Sequence, residues 1–185
     1  MLKIPTATRA VFLGAAACVV LASAGLAVPA GAQVNSTSPS AAGAPVPLGS
    51  GPGVHSPNSP IAPLPDRADV LPWPLLTAVK SRTEKNRVLP LFQPDQLALD
   101  GKLQRVQGFM MPLQPGERQR HFLVSAIPLT CAFCVPGGAE SMVEVRTRQP
   151  VAYTQEPVVV EGRFSVLRDD PTGMYYRMID AAAVK

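Results

Sequence analysis

A chain of 185 residues with 21 prolines and 14 glycines, 5% aromatic and 16% charged, has room for one ordinary domain beside irregular sequence, not for several domains. Its formal net charge of +4 includes Lys3 and Arg9; without them the surplus is about +2, too small for the concentrated basic patch that phosphate recognition needs, so nucleic acid is not an expected partner. Two histidines, with no Gly-x-Ser-x-Gly elbow, no His-Glu-x-x-His pair and no phosphate-binding glycine loop, leave the common catalytic signatures without support.

The chain opens with a targeting pattern. Lys3 and Arg9 give a positive start, Val11 to Leu26 is apolar and uncharged, and Ala30-Gly31-Ala32 supplies an A-x-A cleavage site before Gln33. Residues 1–32 therefore read as a secretory signal peptide, which predicts a periplasmic or otherwise exported protein. The alternative is an uncleaved membrane anchor, since the apolar run approaches the roughly 20 residues that span a bilayer. Cys18 lies inside that run and leaves with the signal. Residues 33–65 contain no charged side chain and are built almost wholly from Ala, Ser, Gly, Pro, Val and Asn. Such a segment buries too little apolar surface to offset its ordering entropy and reads as a disordered linker, with His55 as a solvated residue in it.

Residues 66–185 form the expected folded domain. Pro72-Trp73-Pro74 is read as blocking a helix, 75–82 and 86–92 flank a polar turn at Thr83-Glu84-Lys85, and 94–99 is a short helix ended by Asp100-Gly101. Strands are expected over 103–111, 120–126, 141–147, 158–166 and 174–181. Gly108 and Gly162 each sit inside an apolar strand and mark a bulge or sharp bend. Five strands with bent members predict a mainly β fold, a small five-stranded OB-like barrel, with a two-sheet sandwich as runner-up. Met110-Met111 reads as one residue facing the core and its neighbour facing out. Asp169-Asp170-Pro171-Thr172-Gly173 reads as a turn, and Arg118-Gln119-Arg120, Arg146-Thr147-Arg148 and the cluster at 80–87 each read as a solvated loop or strand edge.

Chemistry concentrates at Cys131-Ala132-Phe133-Cys134-Val135-Pro136-Gly137-Gly138. A C-x-x-C pair in an exported chain is a structural disulfide, a metal site or a redox dithiol. As thiolates, Cys131 and Cys134 suit zinc or copper, and Gly137-Gly138 would let backbone N–H groups turn toward the sulfurs. A closed zinc site needs more donors, such as His121, Glu140 or a partner's residues, while Met110, Met111 or Met142 would assist copper. Redox exchange lacks its usual device, because Pro136 and Gly137-Gly138 oppose a helix that would activate the first thiol. A fourth reading makes the loop a docking face, with Phe133 as anchor among Pro136, Gly137 and Gly138, beside the turn at 112–119.

Several motifs carry a family resemblance. Gly108-Phe109-Met110-Met111-Pro112-Leu113, His121-Phe122-Leu123-Val124-Ser125, the cysteine loop, and Val160-Glu161-Gly162-Arg163-Phe164 before Tyr175-Tyr176-Arg177 resemble the exported bacterial family called domain of unknown function 3299, over about 73–181. The resemblance implies an OB-like barrel in the periplasm or on a lipid anchor. It also implies relatives that look like accessory components beside ABC-type transporters in zinc-limitation gene sets, an association and not a mechanism. One branch carries Cys-x-His at this loop; Phe133 stands where that histidine would fall, so no ligand role carries over to it. The expected function is thus a non-enzymatic envelope protein, an accessory of zinc or copper handling through Cys131 and Cys134. The alternatives are a disulfide-stapled adaptor that docks a transporter or another envelope protein, and a thiol-disulfide redox protein.

Overall fold

The computed structural model describes residue 49 and residues 51–185. The predicted signal peptide and the linker residues 33–48 lie outside the described residues. The described elements are helices α1 (Trp73–Thr77) and α2 (Pro94–Leu97), a 3₁₀ turn at Ala139–Ser141, and strands β1 (Lys80–Glu84), β2 (Arg87–Leu91), β3 (Leu103–Pro112), β4 (Arg118–Ser125), β5 (Met142–Ala152), β6 (Val158–Val166) and β7 (Tyr176–Val184).

Strands β3 to β7 close a barrel in the order β3-β4-β5-β7-β6. Every neighbouring pair is antiparallel except β5 and β7, which run parallel. This is the expected OB-like Greek-key barrel. Closure depends on β3, which pairs with β6 through Leu103 to Gly108 and with β4 from Phe109 to Pro112. Gly108 sits at the changeover, where a Cβ would lie 2.5 Å from the Ser125 carbonyl oxygen, so only glycine lets the two chains meet. At Gly162 the register of β6 against β7 breaks, the second expected irregularity, and a Cβ there would lie 2.9 Å from the Ala181 Cα.

Alternate residues fill the barrel: Val106 and Met110 from β3, Phe122 and Val124 from β4, Val143 and Val145 from β5, Val160 and Phe164 from β6, Tyr176 and Met178 from β7. Burying Phe122 or Phe164 contributes about 2 kcal/mol each. Helix α1 supplies Leu76 to the same core, whose carbonyl accepts from the Tyr176 hydroxyl at 2.8 Å. Trp73 Nε1 donates to the Gln107 carbonyl at 2.9 Å, and Gln96 of α2 donates to Leu75 O at 2.8 Å. A second apolar cluster joins Leu123, Met142 and Met174 with Met111, Leu129 and Leu167. Met110 and Met111 thus divide between the two clusters, as strand alternation requires.

Four expectations change. Helix α1 forms at Trp73 despite its prolines, because Pro74 sits in the first turn, where its missing N–H has no helical partner to lose. The hairpin turn lies at Lys85-Asn86, both at positive φ (46° and 66°), one residue later than expected; this two-residue geometry matches strand twist. Strand β5 continues to Ala152, because past a register break Arg118 and Gln119 pair with Ala152 and Val151. The folded unit also begins before Asp66. Val54 forms a β-bridge with Val135, and Gly51, Val54 and Ser59 all contact the cysteine loop. Backbone hydrogen bonds hold this strap, which a count of apolar side chains does not register.

Candidate functional site

The cysteine loop joins β4 to β5. At its entrance Ser125 Oγ donates to the Ile127 carbonyl at 2.7 Å. Cys131 N–H donates to Pro128 O at 3.2 Å and Cys134 N–H to Cys131 O at 3.3 Å, a tight turn that sets the two cysteine Cα atoms 5.4 Å apart and joins their sulfurs in a disulfide. That separation is normal for a bridge. Cys131 Sγ lies 3.3 Å from the Ser59 hydroxyl of the strap.

Beyond the disulfide the strap and the loop lie backbone to backbone. Val54 and Val135 exchange two hydrogen bonds of 2.9 Å, Gly138 N–H donates to Gly51 O at 2.8 Å, and Gly51 N–H donates to Glu140 Oε1 at 2.6 Å. A Cβ on Gly53 would lie 2.7 Å from Gly137 N, and one on Gly137 would lie 2.7 Å from Gly51 O. The loop glycines therefore admit the strap. In the metal reading these glycines would let N–H groups turn toward the sulfurs; the N–H of Gly138 is taken by Gly51. His55, expected in solvent, has its Nε2 enclosed with no hydrogen-bond partner among the described residues.

Phe133 projects from the turn, 63% exposed, and Val135 and Val54 beside it are 56% and 60% exposed. Pro136 is half-buried and Gly137 and Gly138 are buried under the strap. The loop thus has a covered backbone side and an open apolar side.

The other donors considered for a metal go elsewhere. Met110 and Met142 are buried in separate apolar clusters, Met111 packs on the second of them, and Glu140 accepts from Gly51. His121 stands on β4 with Nε2 2.7 Å from Glu144 Oε1. Among the described residues no three His, Cys, Asp or Glu side chains gather as a metal site. A disulfide offers no thiolate, so the donor set in this bonded form does not fit a closed zinc or copper centre.

Glu144 is the polar centre that the sequence reading missed. Only 4% exposed, its carboxylate accepts from His121, from Arg146 at 2.9 Å and 3.0 Å, and from Arg177 Nε at 2.6 Å. Arg177 also reaches Asp170 at 3.0 Å. Burial pushes the Glu144 carboxyl up, but the hydrogen bonds from Arg177, His121 and Arg146 outweigh it and hold the group below the usual carboxylate range. The available signal was a glutamate inside Met142-Val143-Glu144-Val145, an apolar strand, with Arg146 two residues on.

The chain matches no family model and no curated protein. Among solved structures, the crystal structure of a DUF3299 family protein from Pseudomonas aeruginosa PAO1 matches at 22% sequence identity, covering 52% of this chain and 68% of that one, with a TM-score of 0.37. The uncharacterised family named for that structure is the one that the motifs at Gly108 to Leu113, His121 to Ser125, Cys131 to Gly138 and Val160 to Phe164 resemble.

Proposed function

We infer that the protein is a non-enzymatic, exported adaptor, a rigid barrel that presents the Cys131–Cys134 loop to a protein partner in the cell envelope. The observation that supports this reading is Phe133, 63% exposed at the tip of a turn braced by a disulfide on one side and the strap on the other. A braced loop loses little backbone freedom when a partner covers it, and aromatic anchors carry much of the energy of protein interfaces. Val54 and Val135 extend the apolar surface around it. A retained disulfide belongs with an oxidising compartment, in keeping with the predicted signal.

Accessory work in zinc or copper transport would use the same loop only after reduction to two thiolates, with further donors supplied from outside the set described above. Thiol-disulfide exchange would lack an activating helix, since the nearest helical turn starts at Ala139, beyond both cysteines.

The test places a photoreactive group at exposed Ala132 and cross-links the full chain in its native envelope. A discrete cross-linked species is expected, lost on Phe133→Ala while folding stability changes by no more than about 0.5 kcal/mol, as for other exposed positions. Unchanged cross-linking in that variant, or a large loss of stability, would sink the adaptor reading.

A further inference from the structure

The pairing of β4 with β5 brings together two arginine pairs that are 28 residues apart in sequence, as the link from Arg120 to Arg148 shows. Arg118 and Arg120 on β4, and Arg146 and Arg148 on β5, are all exposed, while Gln119 and Thr147 between them are buried. All four guanidinium groups therefore emerge from one wall of the barrel, toward the end of β5 away from the disulfide loop.

Two of these arginines are held by backbone carbonyls and not by carboxylates. Arg118 Nη2 donates to the Pro150 carbonyl at 2.8 Å and Arg120 Nη1 to the Arg148 carbonyl at 3.1 Å. Arg146 shares Glu144 with Arg177 and His121. Arg118, Arg120 and Arg148 form no ion pair among the described residues; Asp180 lines a shallow cleft with Arg146 and Arg148 without pairing to either. Carbonyl tethering orients a guanidinium without neutralising it, and leaves the rest of its five donors free.

We propose that this wall is a binding surface for an acidic polypeptide segment, whose carboxylates pair with Arg118, Arg120, Arg146 and Arg148. The surroundings decide between anions. Single-stranded nucleic acid is held by several stacked aromatic rings as well as by charge, and among the described residues Tyr153, 38% exposed, is the one exposed Phe, Tyr or Trp side chain near this wall. A membrane surface calls for apolar side chains that enter the lipid, and no large exposed aliphatic residue lies on the outward face of β4 or β5. An Asp/Glu-rich chain needs only the guanidinium forks, which match a carboxylate edge with two parallel N–H donors.

The experiment titrates the full chain with a poly-glutamate peptide, followed by fluorescence anisotropy at rising ionic strength. Wild-type binding weakens as salt is added. The double variant Arg120→Gln/Arg148→Gln binds roughly tenfold more weakly, which corresponds to about 0.7 kcal/mol for each of two exposed ion pairs. Arg163→Gln, which removes an exposed charge on β6, changes binding by less than about twofold. Full retention in the double variant overturns the proposal, as does an equal loss in Arg163→Gln. Tighter binding of anionic phospholipid vesicles or single-stranded DNA, lost with the same two substitutions, would reassign the wall to another polyanion and overturn it too.

Discussion

Arg177 Nε donates to Glu144 Oε2 at 2.6 Å across the one parallel strand pairing of the barrel. The contact ties β7 to β5 on their outward side. Removing Glu144 leaves Arg146 and His121 without their counter-charge and Arg177 with Asp170 alone, so Glu144→Ala is expected to destabilise the domain by about 3 kcal/mol in urea unfolding. A change under about 0.5 kcal/mol would show that the network is solvent-compensated.

The same carboxylate sets a pH dependence. Its folded-state value lies below the ordinary 4.5, so the unfolded chain takes up the proton first as pH falls. Its contribution is full above about 4.5 and is lost as pH drops through the lower folded value. Stability measured between pH 6 and pH 3 should fall more steeply in the wild type than in Glu144→Gln. Parallel curves would assign the acid sensitivity to other groups.

The disulfide closes a ring of four residues, for which the loop-entropy relation gives about 2 kcal/mol. Cys131→Ser/Cys134→Ser should therefore lower stability by up to about this amount and leave the barrel's circular dichroism unchanged. The untreated protein should have an intact mass two hydrogens light and take up no thiol label until reduced. Bound zinc or copper, together with free thiols in freshly isolated protein, would return the loop to metal handling.

How far the fold could be read in advance depended on whether side chains or backbone carried the information. Strand β6 was placed residue for residue and β3 to within one, because their apolar alternation and their glycines at 108 and 162 are local signals. The turn at Lys85-Asn86 slipped by one, since neither residue is glycine and the positive φ values are imposed by strand twist. The strap was read as linker because glycine and proline side chains reveal nothing of the hydrogen bonds their backbones make. The Glu144 cluster and the arginine wall arise from register between strands distant in sequence, which periodicity along one strand does not contain. The cysteine pair was visible at once, but its spacing left the choice of chemistry open.

Tyr176 offers a test of the link between α1 and the barrel. Its ring lies in the core against Phe164 and Phe92, and its hydroxyl is the donor to Leu76 O. Burial, with smaller contributions from the Glu140 and Asp95 charges, pushes the phenol well above its ordinary range. Tyr176→Phe keeps the packing and strands one buried carbonyl, for an expected loss of about 1 kcal/mol. Amide exchange in α1 should quicken more than in β3. Uniform quickening would mean that α1 and the barrel open as one unit.

The strap is testable through the glycines that admit it. A methyl group on Gly137 would overlap Ser141 Oγ and lie 2.7 Å from the Gly51 carbonyl oxygen. Ser141 is buried and also donates to Gly138 O at 2.8 Å, so it cannot swing aside without losing that bond. The least costly response is for residues 51–54 to move off, which breaks the paired Val54–Val135 hydrogen bonds and the Gly138–Gly51 bond. Gly137→Ala should therefore open residues 51–65 to limited proteolysis and raise their amide exchange. The barrel, whose core lies in β3 to β7, should lose no more than about 1 kcal/mol. Gly116→Ala provides the control: it also changes a loop glycine, this one at positive φ, but a Cβ there meets nothing within 4 Å. It should strain its own turn and leave the strap protected. Equal protection of 51–65 in both variants would mean that the strap is held by contacts other than its backbone pairing with the disulfide loop.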